Sequence, residues 1–159
     1  MSERSGDVRV EVVPYEAKYH DAFRSLNEAW ISRYFRIEEP DTRVLEAPQA
    51  QILDKGGHIL VALRDGEPIG VCALLRVDAA TFELAKMAVA EHARGLGAGV
   101  LLGEAAKVTA RQAGASRLIL ESNTILTPAI TLYRKLGFTE FSGVPSEYDR
   151  CNIHMEMKL

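Results

Sequence analysis

At 159 residues, with 47% hydrophobic and 26% charged side chains, the chain is long enough for one globular domain with a sizeable core and too short for two ordinary domains. Its formal net charge of −3 at pH 7 argues against a nucleic-acid partner, because nucleic-acid binding relies on clustered Lys and Arg. The polar start MSERSGDVRV and the lack of a long apolar run argue against a secretory signal and a membrane partner, so we expect one soluble, cytoplasmic domain over residues 1–159.

The first third of the sequence predicts a strand and two helices. Residues 8–14 alternate apolar and polar side chains, which is typical of a half-buried strand. Residues 16–33 repeat apolar side chains at helical spacing and predict an amphipathic helix. Residues 34–47 show no regular pattern and are expected to be irregular. Residues 48–57 begin with proline and end with two glycines, the order typical of a short helix.

The middle third predicts three strands. Residues 58–64 and 67–77 are apolar runs joined by Asp65-Gly66, which accepts positive φ at both turn positions, so a tight hairpin is expected. Residues 82–89 predict a third strand. Strict alternation would place four of its side chains on one face: Glu83, Ala85, Met87 and Val89.

A helix is predicted next, over residues 97–113. Its apolar spacing predicts a buried face made of Leu101, Ala105 and Val108, and Gly114 is expected to end it.

The remaining elements complete a mixed fold. Residues 117–121 predict a short strand, residues 127–136 a helix ended by Gly137, and residues 151–157 a closing strand with one solvated face. Strands and helices are interspersed without repeats or a linker. The predicted fold class is therefore a single mixed α/β domain.

The two cysteines give no sign of a metal site or a disulfide framework. Cys72 and Cys151 lie far apart and lack a CxxC or histidine-rich companion. We expect two buried thiols and no bound metal, with a reactive role for Cys72 as the alternative.

The stretch AEHARGLGAGVLL, residues 90–102, is the strongest local signal. Three glycines at alternate positions follow Arg94 and precede a predicted helix. Unpaired N–H groups and about half a positive charge from the helix dipole attract phosphate at such a place, and Arg94 could pair with it. The same pattern also fits a helix entry that simply needs positive φ.

Two other phosphate-binding patterns fit less well. A P-loop needs Lys and Ser or Thr after the glycines, where this chain has Val100 and Leu101, so that pattern is excluded. A dinucleotide-binding fingerprint would use Glu121 on the ribose, but its third glycine falls at Gly99 instead of residue 100, and a hairpin precedes it. The dinucleotide domain is the weaker alternative.

The pattern R/Q-x-x-G-x-G/A is met by Arg94, Gly97 and Gly99, directly after the predicted third strand. A second segment, NTILTPAITLYRKLGF at residues 123–138, follows it. Together these motifs resemble the GNAT family of N-acetyltransferases over residues 58–141. The resemblance implies a GNAT-like fold with a mostly antiparallel sheet, a splayed parallel pair and flanking helices.

The resemblance also implies a function. Acetyl-CoA would donate an acetyl group, without a metal, to a primary amine of a small molecule or peptide by direct attack in a ternary complex. The chain would act as a monomer or homodimer. A non-catalytic acyl-CoA sensor with the same fold is the alternative function.

Coenzyme-binding residues follow from the same resemblance. Amides of the glycine stretch would hold the pyrophosphate, and the end of the third strand would pair with the pantetheine arm. Asn123 is either a strand-end cap or a coenzyme contact, because the family's asparagine would fall at Leu126. The expected set is Met87, Ala88, Val89, Arg94, Gly95, Leu96, Gly97, Ala98, Gly99, Val100, Asn123 and Tyr133.

The chemistry needs a base, an oxyanion donor and an acid. An amine with a pKa of about 10.4 needs about 4.6 kcal/mol to lose its proton at pH 7. The resemblance places Glu83 as the base, the Met87 amide as the oxyanion donor and Tyr133 as the acid. An ordinary carboxylate is too weak a base, so Glu83 needs burial or a water relay, or else is structural or binds substrate. Tyr133 is otherwise a core residue. Weaker base candidates are Glu121, His92 and His154.

The acceptor side would be shaped by the first helix and the loop after it. This region offers Trp30, Tyr34, Phe35, Glu38 and Glu39. Aromatic rings with carboxylates suit an ammonium ligand, although core aromatics beside surface acids would give the same pattern. The expected substrate-binding residues are Trp30, Tyr34, Glu38 and Glu83, and Ser146, Tyr148 and Asp149 could edge the same pocket.

Overall fold

A computed structural model describes residues 9–159, so Val8 of the predicted first strand lies outside the described residues. The strands are β1 (Val10–Pro14), β2 (His58–Arg64), β3 (Glu67–Arg76), β4 (Thr81–Val89), β5 (Arg117–Ser122), β6 (Thr139–Phe141) and β7 (Ile153–Lys158). The helices are α1 (His20–Tyr34), α2 (Glu39–Glu46), α3 (Pro48–Gln51), α4 (Ala98–Gln112) and α5 (Thr127–Leu136).

The seven strands form one sheet in the order β1-β2-β3-β4-β5-β7-β6. Neighbouring strands of the described chain are antiparallel, except that β4 and β5 are parallel. The predicted fold class, a mixed α/β domain with one parallel pair in a mostly antiparallel sheet, is confirmed. A dinucleotide-binding domain needs a mainly parallel sheet, so that alternative is wrong.

Helices cover both faces of the sheet. Side chains of α4 and α5 pack into one core cluster, which includes Leu102, Leu136 and Phe82 of β4. Side chains of α1 pack into a second cluster, which includes Phe23 and Ile31. No helix among the described residues is long and apolar enough to cross a membrane.

Residues that accept positive φ predicted one hairpin and the ends of two helices correctly. Asp65 and Gly66 have φ of 50° and 82°, as the β2–β3 hairpin requires. Gly114 and Gly137 have φ of 89° and 112° just after α4 and α5, where a left-handed residue ends a helix.

The expectation of irregular structure over residues 34–47 is wrong, because α2 lies there. The Glu38 carboxylate accepts from a backbone N–H in the first turn, and the Asp41 carboxylate accepts from the Glu38 N–H at 3.0 Å. Two backbone N–H groups that have no acceptor within the helix are therefore capped by acidic side chains. The short β6 strand was not predicted either.

The predicted buried face of α4 is wrong for two of its three residues, since only Ala105 packs against the core. Leu101 and Val108 are 41% and 49% exposed. The helix instead buries a stripe of small side chains with one leucine, because it packs closely on the sheet and on α5. The buried residues are Ala98, Leu102, Gly103, Ala106 and Ala110.

The predicted shared face of β4 is also wrong, because the strand contains a β-bulge. Val71 pairs with Ala88 and Ala73 with Ala85, so two residues of β4 stand opposite one of β3, and Lys86 has φ of 52°. The bulge reverses the side on which later residues point. Before it, Phe82 and Leu84 belong to the α4–α5 cluster; after it, Met87 and Val89 pack against that cluster. Glu83 therefore points to the α1 side.

The two cysteines differ in their surroundings. Cys72 is fully buried, and burial raises the pKa of its thiol to about 12, which argues against the reactive role. Cys151 is only half-buried, contrary to expectation, and lies in the loop before β7.

Candidate active site

The site lies where the two parallel strands separate. β4 and β5 pair only from Thr81–Arg117 to Glu83–Ile119, although both strands continue beyond that point. Two cavities lie where the strands separate, and residues at the end of β4 line both of them.

The larger cavity, of about 500 Å³, lies between the end of β4, the glycine stretch and α5. It contains ten of the twelve predicted coenzyme-binding residues; Leu96 and Asn123 do not line it. The members are Met87, Ala88, Val89, Arg94, Gly95, Gly97, Ala98, Gly99, Val100 and Tyr133.

The glycine stretch is open toward this cavity. Gly95 and Gly97 have φ of 87° and 77°, and a Cβ at either position would meet no atom within 4 Å. The first hydrogen bond of α4 joins the Leu101 N–H to the Gly97 carbonyl, so the N–H groups of the three residues before Leu101 have no acceptor within the helix. This donor set fits an anionic group such as a pyrophosphate.

The smaller cavity, of about 90 Å³, lies on the α1 side of the wedge. Its wall combines aromatic rings of Trp30 and Phe35 with the carboxylates of Glu83 and Glu121. Tyr148, Arg150 and Cys151 close it from the loop before β7. An acceptor of a few heavy atoms fits this volume.

Four residues line both cavities: Trp30, Met87, Leu126 and Tyr133. The two cavities therefore adjoin at these four residues, which include Tyr133 and Met87. Ligands in the two cavities would lie next to each other at this boundary.

Glu83 is a half-buried carboxyl in the smaller cavity. Burial, followed by the nearby charge of Glu121, raises its pKa from 4.5 to about 7, although Lys86 partly opposes this. Burial and nearby negative charge both disfavour the charged form. Glu83 can therefore exchange a proton near neutral pH.

Tyr133 lies on α5 with its ring edge against Phe138, the ring centroids being 6.1 Å apart. Burial raises the pKa of its hydroxyl to about 12. Among the described residues, the hydroxyl has no hydrogen-bond partner in the protein. It is thus a protonated donor on a residue that lines both cavities.

A buried ionic cluster behind the smaller cavity was not predicted. Asp41 is fully buried, and its carboxylate accepts two hydrogen bonds from Arg150, at 2.7 and 2.6 Å, and one from Lys86 at 2.5 Å. Lys86 also donates to the Tyr148 hydroxyl at 3.0 Å. Buried charges persist when they are paired in this way. The cluster ties α2 to the bulge of β4 and to the loop before β7.

Glu38 does not line either cavity. Its carboxylate accepts from the Asp149 N–H at 3.0 Å and from Arg150 at 3.3 Å, in addition to capping α2. Glu39 is exposed and pairs with Arg43. Neither carboxylate is placed to meet an acceptor.

Tyr34 is exposed and lines the larger cavity only. The Arg94 guanidinium beside its hydroxyl lowers the pKa of Tyr34. Tyr34 and Arg94 thus frame the mouth of the larger cavity together.

Asn123 acts as a strand-end cap. Its side chain donates to the Arg150 carbonyl at 2.7 Å and accepts from the Ile125 N–H at 2.9 Å. These bonds engage both ends of the amide, so the side chain lies on the smaller cavity as a structural group.

Of the three loop residues expected to edge the pocket, Tyr148 lines the smaller cavity, whereas Ser146 and Asp149 do not. The Ser146 hydroxyl donates to the Glu121 carboxylate at 2.7 Å. The Asp149 side chain is exposed and pairs with Arg36 at 2.7 Å. His92 is also exposed, on the turn before the glycine stretch.

Sequence and structure comparisons agree with this geometry. The profile of the acetyltransferase (GNAT) family matches residues 20–138. No curated protein matches the chain significantly.

Solved structures with the same fold include two bacterial acetyltransferases. A GNAT-family acetyltransferase from Staphylococcus aureus Mu50 is similar with a TM-score of 0.85 at 20% identity, covering 94% of this chain and 99% of that one. An acetyltransferase from Streptococcus agalactiae 2603 gives a TM-score of 0.80 at 23% identity, covering 94% and 98%.

A third similar structure contains a ligand. The acetyltransferase YncA from Salmonella typhimurium, described as putative and solved with its cofactor acetyl-CoA, has a TM-score of 0.75 at 18% identity and covers 94% of this chain and 93% of that one. Since the family profile spans most of the sequence and the fold agrees, the chain belongs to the GNAT acetyltransferase family.

Proposed function

We propose that this protein transfers an acetyl group from acetyl-CoA to a primary amine of a small molecule or peptide, by direct attack within a ternary complex. The observation that carries the proposal is the meeting of the two cavities at Tyr133 and Met87, with Glu83 in the smaller one. One cavity would hold the coenzyme and the other the amine.

The larger cavity supports acetyl-CoA binding. The free N–H groups at the start of α4 would bind the pyrophosphate, and Arg94 at the cavity mouth would add a charge-assisted hydrogen bond. When bound, acetyl-CoA supplies an activated acetyl group. The Salmonella neighbour, crystallised with acetyl-CoA, supports the choice of coenzyme.

Glu83 would remove the proton from the amine. Taking a proton from an amine with a pKa of about 10.4 costs about 8 kcal/mol with an ordinary carboxylate and about 4.6 kcal/mol with a base whose pKa is near 7. The raised pKa of about 7 therefore lowers the cost of the transfer while leaving about half of the enzyme ionised at neutral pH. Transfer through one water molecule is compatible with this position.

The Met87 amide would donate to the developing negative charge on the substrate oxygen. It lies directly after the bulge at Lys86, which breaks the regular pairing of β4 with β3. One donor of this kind contributes about 2.7 to 4 kcal/mol to transition-state stabilisation.

Tyr133 would stabilise the departing sulfur. Its pKa of about 12 keeps the hydroxyl protonated at every physiological pH. Full proton transfer to a thiolate whose thiol pKa is about 8.5 would be uphill, so a hydrogen bond to sulfur is the role that this hydroxyl can best perform.

The acceptor side favours a small cationic amine. Glu83 and Glu121 line the smaller cavity, whereas its cations Lys86 and Arg150 are both paired with Asp41. An ammonium group would thus find two carboxyl groups that no lysine or arginine of the described residues pairs with, together with the aromatic rings of the wall.

The direct test is release of free CoA thiol from acetyl-CoA across a panel of small amines and N-terminal peptides, with mass spectrometry of the product. Thermal shift with acetyl-CoA, CoA and NAD runs in parallel. We expect stabilisation by both CoA species and turnover with at least one amine. If acetyl-CoA fails to bind, the proposal is wrong. If acetyl-CoA binds but no amine is acetylated, the protein is a sensor instead of an enzyme.

A further inference from the structure

We propose that Glu121, Cys151 and His154 form a binding site for Zn²⁺ at the edge of the smaller cavity. One potential ligand atom from each side chain lies within 4.8 Å of those of the other two. All three side chains are half-buried, so an ion could reach them.

The imidazole of His154 lies between the other two groups. Its Nε2 is 3.9 Å from the Cys151 Sγ, and its Nδ1 is 3.8 Å from the Glu121 Oε2. In a tetrahedral zinc site, bond lengths of about 2.0–2.3 Å place neighbouring ligand atoms about 3.5 Å apart. Only one ring nitrogen can bind a given ion, and the three ligand atoms, one from each residue, lie within 4.8 Å of one another. Side-chain rotations that move these atoms by up to about 1.3 Å would bring them to a common ion.

The backbone fixes the positions of these ligands. Glu121 on β5 stands directly opposite His154 on β7, so a cross-strand pair supplies two ligands. Cys151 precedes His154 by three residues in the loop that enters β7. The site is therefore built on the rigid sheet and does not depend on a surface loop alone.

Further contacts hold the ligand side chains. The Ser146 hydroxyl donates to one oxygen of Glu121, which leaves the other toward His154. The His154 ring packs against Phe141, with centroids 5.9 Å apart. A Cβ added at Gly143 would lie 2.5 Å from the His154 Nδ1, so the loop backbone packs directly on the imidazole. Supporting contacts that orient ligands in this way are typical of metal sites.

The chemical types of the three ligand atoms favour Zn²⁺ over Mg²⁺ and Ca²⁺. A thiolate, an imidazole and a carboxylate are the ligand types of Zn²⁺, whereas Mg²⁺ and Ca²⁺ require oxygen ligands. Three protein ligands leave a fourth tetrahedral position for water or another small ligand.

Zinc at this position would affect the reaction. Glu121 and Cys151 both line the smaller cavity, which is the acceptor cavity if the proposed function is right. Bound zinc would then inhibit acetyl transfer competitively with the amine. This consequence depends on the proposed function, but metal binding itself does not.

The test uses tag-free, chelator-stripped protein without CoA and Co²⁺ as a spectroscopic probe. We expect one equivalent of Co²⁺ to bind with a thiolate-to-cobalt charge-transfer band and tetrahedral d–d bands, and Zn²⁺ to displace it. Cys151→Ser should abolish the charge-transfer band. His154→Gln and Glu121→Gln should weaken binding at least about tenfold, since even groups that only orient a ligand change affinity about 10- to 100-fold.

The matched control is His92→Gln, which changes an exposed histidine outside the cluster and should leave binding unchanged. Circular dichroism confirms that each variant is folded before titration. The proposal is overturned if wild-type protein gives no thiolate band, or if Cys151→Ser retains it. The metal titration contains no acetyl donor or acceptor, so its result does not depend on the proposed function. If the protein binds Co²⁺ but acetylates no amine, the proposed function is wrong and the metal site stands.

Discussion

Glu83→Gln should make the protein more stable at pH 8 while impairing its activity. The folded structure raises the pKa of Glu83 from 4.5 to about 7, chiefly by burial and by the charge of Glu121. A raised carboxyl pKa means that folding opposes ionisation, so the stability of the wild-type protein falls as pH rises from 4.5 to 7. Glutamine cannot ionise and carries no such penalty.

The magnitude follows from the two pKa values. Each pKa unit corresponds to about 1.4 kcal/mol, so the penalty on wild-type Glu83 reaches at most about 3.5 kcal/mol above pH 7. It vanishes below pH 4.5, where the carboxyl is protonated in both the folded and the unfolded chain. The value is a ceiling because Glu83 keeps some contact with solvent in the cavity.

Urea unfolding of wild type and Glu83→Gln at pH 5 and pH 8 measures this difference. We expect the variant to gain stability relative to wild type mainly at pH 8. Glu11→Gln, on an exposed position of β1, is the matched control and should show no pH-dependent gain. If Glu83→Gln is equally or less stable than wild type at pH 8, then Glu83 is not destabilised in its charged form and the reasoning fails.

Three further substitutions test other parts of the structure. Tyr133→Phe should lower turnover about 100-fold or more while calorimetry finds the acetyl-CoA Kd unchanged; normal turnover would remove Tyr133 from the reaction. Gly103→Ala should lower the free energy of unfolding by about 1–3 kcal/mol, because its Cβ would overlap Leu136 of α5; an unchanged melting curve would contradict this packing. Asp41→Asn should cost about 3–5 kcal/mol in urea unfolding at pH 7, since it leaves buried cations unpaired. The pKa of Asp41 is lowered from 3.8 to about 2, so its contribution to stability should be lost in wild type as pH falls through this range; a flat response would show that the ion pairs contribute nothing.

The sequence was most informative where local chemistry decides the structure. Asp65-Gly66 predicts its hairpin because few other dipeptides accept positive φ twice, and Gly137 ends α5 for a similar reason. The glycine stretch and the segment around Tyr133 predicted the family because their spacing is local, and the family profile confirms it.

The rest depends on contacts between distant parts of the chain. The bulge at Lys86 exists only relative to β3, so alternation within β4 could not show that Glu83 and Met87 face opposite sides. Helix α2 is capped by Glu38 and Asp41, which also bond to the loop before β7, more than 100 residues away in the chain. Glu38 was therefore predicted to bind the acceptor substrate, whereas it caps α2 and holds the loop before β7.

The most direct test of the central claim is the pH dependence of kcat/KM for wild type and Glu83→Gln with one amine accepted by the enzyme, measured with a chelator present. We expect the wild type to show an acidic limb with an apparent pKa of about 7. The variant should be slower and lack that limb. Identical profiles for the two proteins would contradict the assignment of Glu83 as the base.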